Sequence, residues 1–395
     1  VRVALVGEGP LPGPDSVDTA FAQLRLHQFH AALHADGHDV HVLDAAAPDL
    51  SGDVARVDAD VVVSAGTWAP VRAAVHAAGP RPLCVDLPGD PFADLQAALH
   101  APGSAAWAAG PQAAARAAAR VFLPALERAD AFTTIGPPAR WALLGQLGVL
   151  GRLGPMPPGE EPVFVTPNAW GAPGLEEAPP RAPAPGTPLS VVLFGGVNTW
   201  MDAQATARGL VAAAARVPVR VTVIGGPVPG HHEAGAARLR TLLDRDAPGL
   251  VRWLPRLPAS ALGEEIARHH LLAWVDRPGV EPETGSRTRA LLAVHQGLRV
   301  VATARCALVQ NLVAGGWATP VPEGGDPAEG LADALVTVAT AFPGLPDRAP
   351  LRAAHAIAAT TRGLRAWVAD PRRAPPAWGD GPLARAARWL GHRAR

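Results

Sequence analysis

The run GVEPETGSRTRALLAVHQGLRVVA, residues 279–302, decides how the rest of the chain is read. It opens on two carboxylates, Glu281 and Glu283, and passes a breaker at Gly285. A helix is predicted next, with Ser286 as N-cap, Arg287 and Arg289 in the first turn, and Leu291, Leu292 and Val294 at apolar positions. Gly297 fits the C-cap before an apolar strand at 298–302. Parallel strands need crossovers of this kind, so a helix feeding a strand points to a parallel sheet. An acidic loop entering a helix N-terminus also suits a ligand that carries both hydroxyls and phosphate. Carboxylates accept hydrogen bonds from sugar hydroxyls, while free backbone N–H groups and the helix dipole favour an anion. An ordinary βα-loop with a solvated helix start has the same local pattern.

Upstream the alternation repeats. A strand at 189–194 delivers Gly195-Gly196-Val197-Asn198-Thr199-Trp200-Met201-Asp202 and then a helix from about residue 203. Paired glycines let backbone N–H groups approach a ligand closely, and Asn198 and Thr199 add short polar contacts. A strand at 219–224 leads into Gly225-Gly226-Pro227-Val228-Pro229-Gly230 and the pair His231-His232. Further strands are expected at 250–254 and 271–275, with a helix at 260–269 between them. Three strand ends in one half of the chain thus carry Gly-rich or acidic loops.

The preceding half alternates in the same way. Predicted strands at 2–6 and 38–43 flank a helix at 20–35, capped by Asp18 or Thr19. Gly7-Glu8-Gly9 ends the first strand, but Pro10, Pro12 and Pro14 exclude a standard dinucleotide-binding turn. Strands at 60–64, 82–86, 131–135 and 163–166 follow, with helices at 71–78, 105–129 and 138–147, the last with Trp141 on its apolar side. The loop Leu87-Pro88-Gly89-Asp90-Pro91 lies at a strand's carboxyl end, where open α/β sheets bind ligands. Asp86 and Asp90 are therefore candidates for meeting an acceptor hydroxyl or shaping a cleft. His27, His30 and His34 share one helix face; without a carboxylate or cysteine beside them they read as a solvated face rather than a metal site.

Between the halves lies APGLEEAPPRAPAPGTP, residues 172–188, Pro-rich and expected to be an exposed, semi-rigid linker. The expected division is 1–171, a Rossmann-like domain; 172–188, the linker; 189–355, a second such domain; and 356–395, helices packing back on the first domain with a basic tail. Helices are predicted at 327–341 and through most of 347–368. The tail at 381–395 is a candidate amphipathic helix for peripheral membrane contact.

A chain of 395 residues exceeds what one core usually serves. Its 35 acidic and 35 basic residues balance, so no overall field points to nucleic acid. Every basic residue is arginine, so a phosphate-binding cation here is Arg or His. Cys84 and Cys306 sit far apart in apolar runs and read as buried thiols in a reducing compartment. VRVALVGEG at the start reads as strand and loop rather than a signal peptide, and no apolar run approaches about 18 residues, so a cytoplasmic location is expected.

FGGVNTWMD at 194–202, IGGPVPGHHE at 224–233, ETGSRTR at 283–289, VDLPGDP at 85–91 and ALLGQLGVLGRL at 142–153 together resemble the retaining family-four glycosyltransferases of the B-type fold. The likeness is to a subgroup with a Gly-x-x-Asn-Thr-Trp-x-Asp loop. It implies an α/β architecture of two Rossmann-like βαβ domains facing a cleft. It also implies transfer of a sugar, with retention, from a nucleotide-diphosphate sugar to a saccharide or lipid-linked acceptor, with no cofactor and no metal. Glu283 matches the glutamate that meets the donor sugar near the reacting carbon. Thr284 and Gly285 match the loop whose amides meet the diphosphate, and Arg287 and Arg289 match an Arg-Thr-Arg step that neutralises it. Glu281 and Asp90 complete the candidate site with Gly195, Gly196, Asn198, Thr199, Gly225 and Gly226. The family's second carboxylate, two turns on, is replaced here by Leu291 and Leu292. That departure leaves two alternatives open: a non-catalytic glycan or partner binder, and an epimerase acting on a sugar nucleotide.

Overall fold

Short apolar runs such as VVVS and LLAW are buried on both faces, as parallel strands between two helix layers must be. The computed structural model describes residues 1–374 apart from 17–20, 67, 102–103, 155, 158 and 226–233. Six strands form the first sheet: β1 (Arg2–Gly7), β2 (Asp39–Asp44), β3 (Val61–Ser64), β4 (Leu83–Asp86), β5 (Ala131–Thr134) and β6 (Val163–Val165). Their order is β2-β1-β3-β4-β5-β6. The second sheet has β7 (Leu189–Phe194), β8 (Val219–Ile224), β9 (Val251–Leu254), β10 (Leu271–Trp274), β11 (Arg299–Ala302) and β12 (Ala318–Pro320). Its order is β12-β11-β10-β7-β8-β9, and every pairing in both sheets is parallel. The expected α/β class with two parallel sheets is therefore observed.

In the first sheet β3, β4 and β1 share one face with Phe29 and Leu33 of helix Phe21–Ala35. Leu364 and Val368 of the late helix Arg362–Ala369 join that cluster, so the chain returns to the first sheet after completing the second. Gly363 is needed there, because a Cβ would stand 2.8 Å from the Phe164 ring. The chain passes between the sheets twice, and the two crossings are stitched together. Trp170 N–H donates to the His355 carbonyl at 2.7 Å, and His355 Nδ1 meets the Asn168 carbonyl at 2.7 Å.

Several local expectations change. Residues 105–129 break at Gly110 (φ 81°) into helices Ala105–Ala109 and Pro111–Arg128. Residues 347–368 form three short helices, Ala349–Ala354, Ile357–Thr360 and Arg362–Ala369. Trp141 is 64 % exposed on helix Pro137–Val149, because the apolar side of that helix is made by Leu143, Leu144 and Leu147. The Pro-rich segment is only partly a free linker. Leu175 is buried in the second core, Gln296 Nε2 donates to the Glu176 carbonyl at 2.7 Å, and Ala178 N–H donates to the His295 carbonyl at 3.3 Å. Asp18, Thr19 and the tail at 381–395 lie outside the described residues. Both cysteines are free and buried. Among the described residues no helix is long and apolar enough to cross a membrane.

Candidate functional site

Parallel strands end on the same side, so the loops after β7, β8, β10 and β11 meet at one edge of the second sheet. Gly195 follows β7 with φ 82° and Gly225 follows β8 with φ 143°, both in the region that favours glycine. A Cβ on Gly225 would stand 3.3 Å from the Gly195 carbonyl oxygen, so the two loops lie against each other. Arg289 Nη2 donates to the Gly196 carbonyl at 2.5 Å, and its guanidinium borders Gly195. Gly195, Gly196, Gly225 and Arg289 are thereby brought together. Asn198 and Thr199 are half-buried in the same loop. Asp202 ends it by capping helix Ala203–Ala214 through the Ala205 N–H at 2.9 Å. Gly226 and the His231-His232 pair lie outside the described residues.

The acidic stretch of residues 280–284 forms a short helix, Val280–Thr284, followed by helix Thr288–His295. The N-cap of the second helix is Arg287, not Ser286, and Gln296 is the C-cap, with Gly297 one residue beyond at φ 77°. Arg287 makes no capping bond; its guanidinium turns inward. Nε donates to Asp276 at 2.9 Å, while Nη1 and Nη2 donate to the two Glu281 oxygens at 3.0 and 2.9 Å. The Trp200 ring covers the guanidinium at 5.2 Å. All three charged side chains are buried, at 2 % exposure or less for Arg287 and Asp276 and 5 % for Glu281. Burial works against the Arg287 charge, but Asp276 and Glu281 outweigh it and hold the guanidinium above its ordinary value. At Glu281 burial wins over Arg287 and pushes the carboxyl up, as expected when two carboxylates share one cation. This is a scaffold for the loop, and a different occupation from the solvent-facing anion contact expected of Arg287.

Glu283, two residues on, is exposed. Thr284 is buried and its hydroxyl donates to the Val280 carbonyl at 3.0 Å. Gly285 N–H donates to the Glu281 carbonyl at 2.7 Å. Leu291 is fully buried and Leu292 is 6 % exposed; both belong to the second core, where a carboxylate would have no solvent.

Helix Val280–Thr284 packs on helices Pro91–Leu99 and Pro137–Val149 of the first sheet, so the acidic stretch is where the two lobes touch. Asp90 serves as a cap there: it accepts from Phe92 N–H at 2.8 Å and from Gln146 Nε2 at 3.2 Å. Asp86 lies deeper. Its oxygens accept from Arg25 Nε and Nη2 at 3.0 and 2.6 Å, Thr133 Oγ1 at 2.7 Å and Gly66 N–H at 3.2 Å, so no oxygen faces a cleft. His30 and His34 rings stack with centroids 5.7 Å apart, and among the described residues no group of three or more acidic, His or Cys side chains is placed to hold a metal.

Asp94, which the sequence reading missed, is half-buried one turn into helix Pro91–Leu99. The signal was present, since Asp90-Pro91 marks a helix start and puts residue 94 on its first turn. Burial raises its carboxyl to about 7, and Glu281 and Asp90 add to the effect while Arg287 opposes it. A carboxyl with a folded pKa above its unfolded value binds more protons when folded. Stability should therefore fall as pH rises between about 4 and about 7 and level off above. Asp94→Asn should remove this slope. At pH 8 it should be more stable than the wild type by about 2 kcal/mol, allowing for solvent at a half-buried group, and equal near pH 4. Thermal melts of both proteins across that range would show it, and parallel curves would refute it.

No family model matches the sequence, and no curated protein matches it. Solved structures match along nearly the whole length. Sucrose-phosphate synthase from Thermosynechococcus elongatus superposes with a TM-score of 0.60 at 15% identity, over 99% of this chain and 98% of that one. Anabaena HepE, crystallised with UDP and glucose, has a TM-score of 0.55 at 15% identity, over 99% and 97% of the two chains. WaaG, a glycosyltransferase involved in lipopolysaccharide biosynthesis, has a TM-score of 0.53 at 13% identity, over 98% and 99%. At these identities the likeness is one of fold: two parallel α/β sheets in the B-type glycosyltransferase arrangement.

Proposed function

We propose that this protein transfers a sugar from a nucleoside-diphosphate donor to an acceptor hydroxyl. The observation that carries the reading is the convergence of the Gly195–Gly196 loop, Gly225, Arg289 and the start of helix Thr288–His295 at one sheet edge. Close backbone and a cation at a helix N-terminus suit a diphosphate. In this reading residues 189–355 bind the donor and residues 1–171 face the acceptor, a saccharide or a lipid-linked saccharide. Arg289 and the loop amides stabilise the charge that develops on the departing diphosphate, and Glu283 meets the sugar near the reacting carbon. Transfer proceeds with retention and without a cofactor. The UDP seen with HepE supports a donor of this class.

A second reading, a non-catalytic binder of a glycan or partner, is favoured by Leu291 and Leu292, which leave the ribose without the expected carboxylate. Turnover separates the two. With a panel of nucleotide sugars and acceptor extracts, Glu283→Gln should lower nucleotide release about ten- to a hundredfold, the worth of one charge-assisted hydrogen bond. Its melting temperature should stay put, since Glu283 is exposed. A wild-type protein that gains no thermal stability from any nucleotide sugar and releases no nucleotide would overturn the glycosyl-transfer reading. Donor binding without turnover would favour the second.

A further inference from the structure

Asn168 lies just past β6, at the first crossing between the sheets, yet its carboxamide reaches the helix start in the second lobe. Nδ2 donates to the Thr288 hydroxyl at 2.6 Å and to the Ser286 hydroxyl at 3.2 Å. The residue is 5 % exposed. An amide –NH2 group brings two hydrogens and accepts nothing, so each hydroxyl accepts from it and keeps its own O–H to donate. Among the described residues neither hydroxyl donates to another group. Both stand at the opening of helix Thr288–His295, whose cap residue makes no side-chain bond to the N-terminal amides. Two O–H groups left to donate at the opening of a helix, where the dipole favours negative charge, suit an anion.

The other end of Asn168 is fixed as firmly. Its backbone carbonyl accepts from His355 Nδ1, on the second crossing, at 2.7 Å. Burial holds the His355 imidazole below its ordinary range, so the ring is neutral and Nδ1 carries the proton this bond needs. The two chain crossings and the helix start are one hydrogen-bonded unit.

We propose that Asn168 is a positioning residue that turns the Ser286 and Thr288 hydroxyls into hydrogen-bond donors for the donor's diphosphate. This rests on the glycosyl-transfer reading above and adds to it a dependence of the anion site on a residue outside the second lobe. Asn168→Asp reverses the polarity of the contact. A carboxylate only accepts, so it draws both O–H groups onto itself and brings negative charge beside the anion.

The test is calorimetric titration of the full chain with the tightest-binding of the common nucleoside diphosphates and, by competition, with its nucleoside. Asn168→Asp should weaken the diphosphate about ten- to a hundredfold while leaving the nucleoside within about twofold of wild type. Ser286→Ala with Thr288→Val should weaken the diphosphate similarly, and adding Asn168→Ala to that pair should change it by no more than about twofold, since the three act as one unit. Melting curves of each variant confirm that it is folded, and Asn168→Ala serves if the aspartate variant is not. Diphosphate affinity unchanged in Asn168→Asp overturns the inference, and is what an amide accepting from both hydroxyls would give. Equal losses for nucleoside and diphosphate also overturn it, assigning Asn168 to the fold alone. A wild-type chain that binds no nucleoside diphosphate removes the glycosyl-transfer reading itself, and this inference with it.

Discussion

Arg287→Met should cost about 3–5 kcal/mol of unfolding free energy, the usual penalty for removing one partner of a buried ion network. The substitution leaves Asp276 and Glu281 buried with no cation, and removes the guanidinium that lies under Trp200. Arg287→Lys should recover little, because a single ammonium cannot span Asp276 on one side and both Glu281 oxygens on the other. Discharging the carboxylates should help. The triple variant Arg287→Met, Asp276→Asn, Glu281→Gln should regain most of the loss, since a buried network replaced whole is often near neutral. The pH dependence has a definite sign. With Arg287 gone, Glu281 loses the cation that lowers its pKa, and its folded value rises further above the unfolded one. The variant should gain on the wild type as pH falls and Glu281 takes up a proton. Urea titrations followed by tryptophan fluorescence would measure this. A loss below about 1 kcal/mol would place Arg287 in the range of exposed pairs and return it to the diphosphate.

Asp86→Ala should be as damaging, at about 3–5 kcal/mol, and for the same reason. Arg25 and Asp86 are both fully buried, and the guanidinium also holds the Thr166 carbonyl at 2.7 Å and Gln28 at 3.3 Å. Gln28 in turn donates to Thr360 Oγ1 at 2.8 Å, so the network reaches the late helices that return to the first sheet. Without Asp86, Arg25 keeps its charge in the core with no counterion, and Thr133 Oγ1 and Gly66 N–H lose their acceptor. The acceptor KM, measured at a temperature where the variant is folded, should be unchanged, because neither Asp86 oxygen faces a cleft. If Asp86 instead met an acceptor hydroxyl, stability would hold and the acceptor KM would rise.

Much of the fold is legible in the sequence. Short apolar runs ending in glycine, spaced by helical segments, specify parallel strands because only buried strands can be apolar on both faces. The loop after β7 was readable because Gly195 and Gly196 follow a strand directly and Asp202 follows them as a cap. Less legible were residues whose partners are remote in sequence. Asn168 meets Thr288 across 120 residues, and Arg25 meets Asp86 across 61. Neither distance leaves a local pattern. Trp141 is exposed rather than on the apolar side, because periodicity gives the spacing of an apolar face, while its neighbours decide where that face begins.

The acidic stretch shows where the division falls. Glu281 and Glu283 are two residues apart on a helix, as Arg287 and Arg289 are at the next one, and at about 3.6 residues per turn such pairs point to nearly opposite sides. The sequence by itself determined only that the two members of each pair would not share one side. Which one faced inward was decided by tertiary packing. Helices Pro91–Leu99 and Pro137–Val149 press on helix Val280–Thr284 from the first lobe, and Asp276 at the end of β10 offers Arg287 a buried carboxylate. Glu281 and Arg287 became the scaffold. Glu283 was left exposed and Arg289 on the glycine loop, because the cost of burying charge is met only where a partner waits.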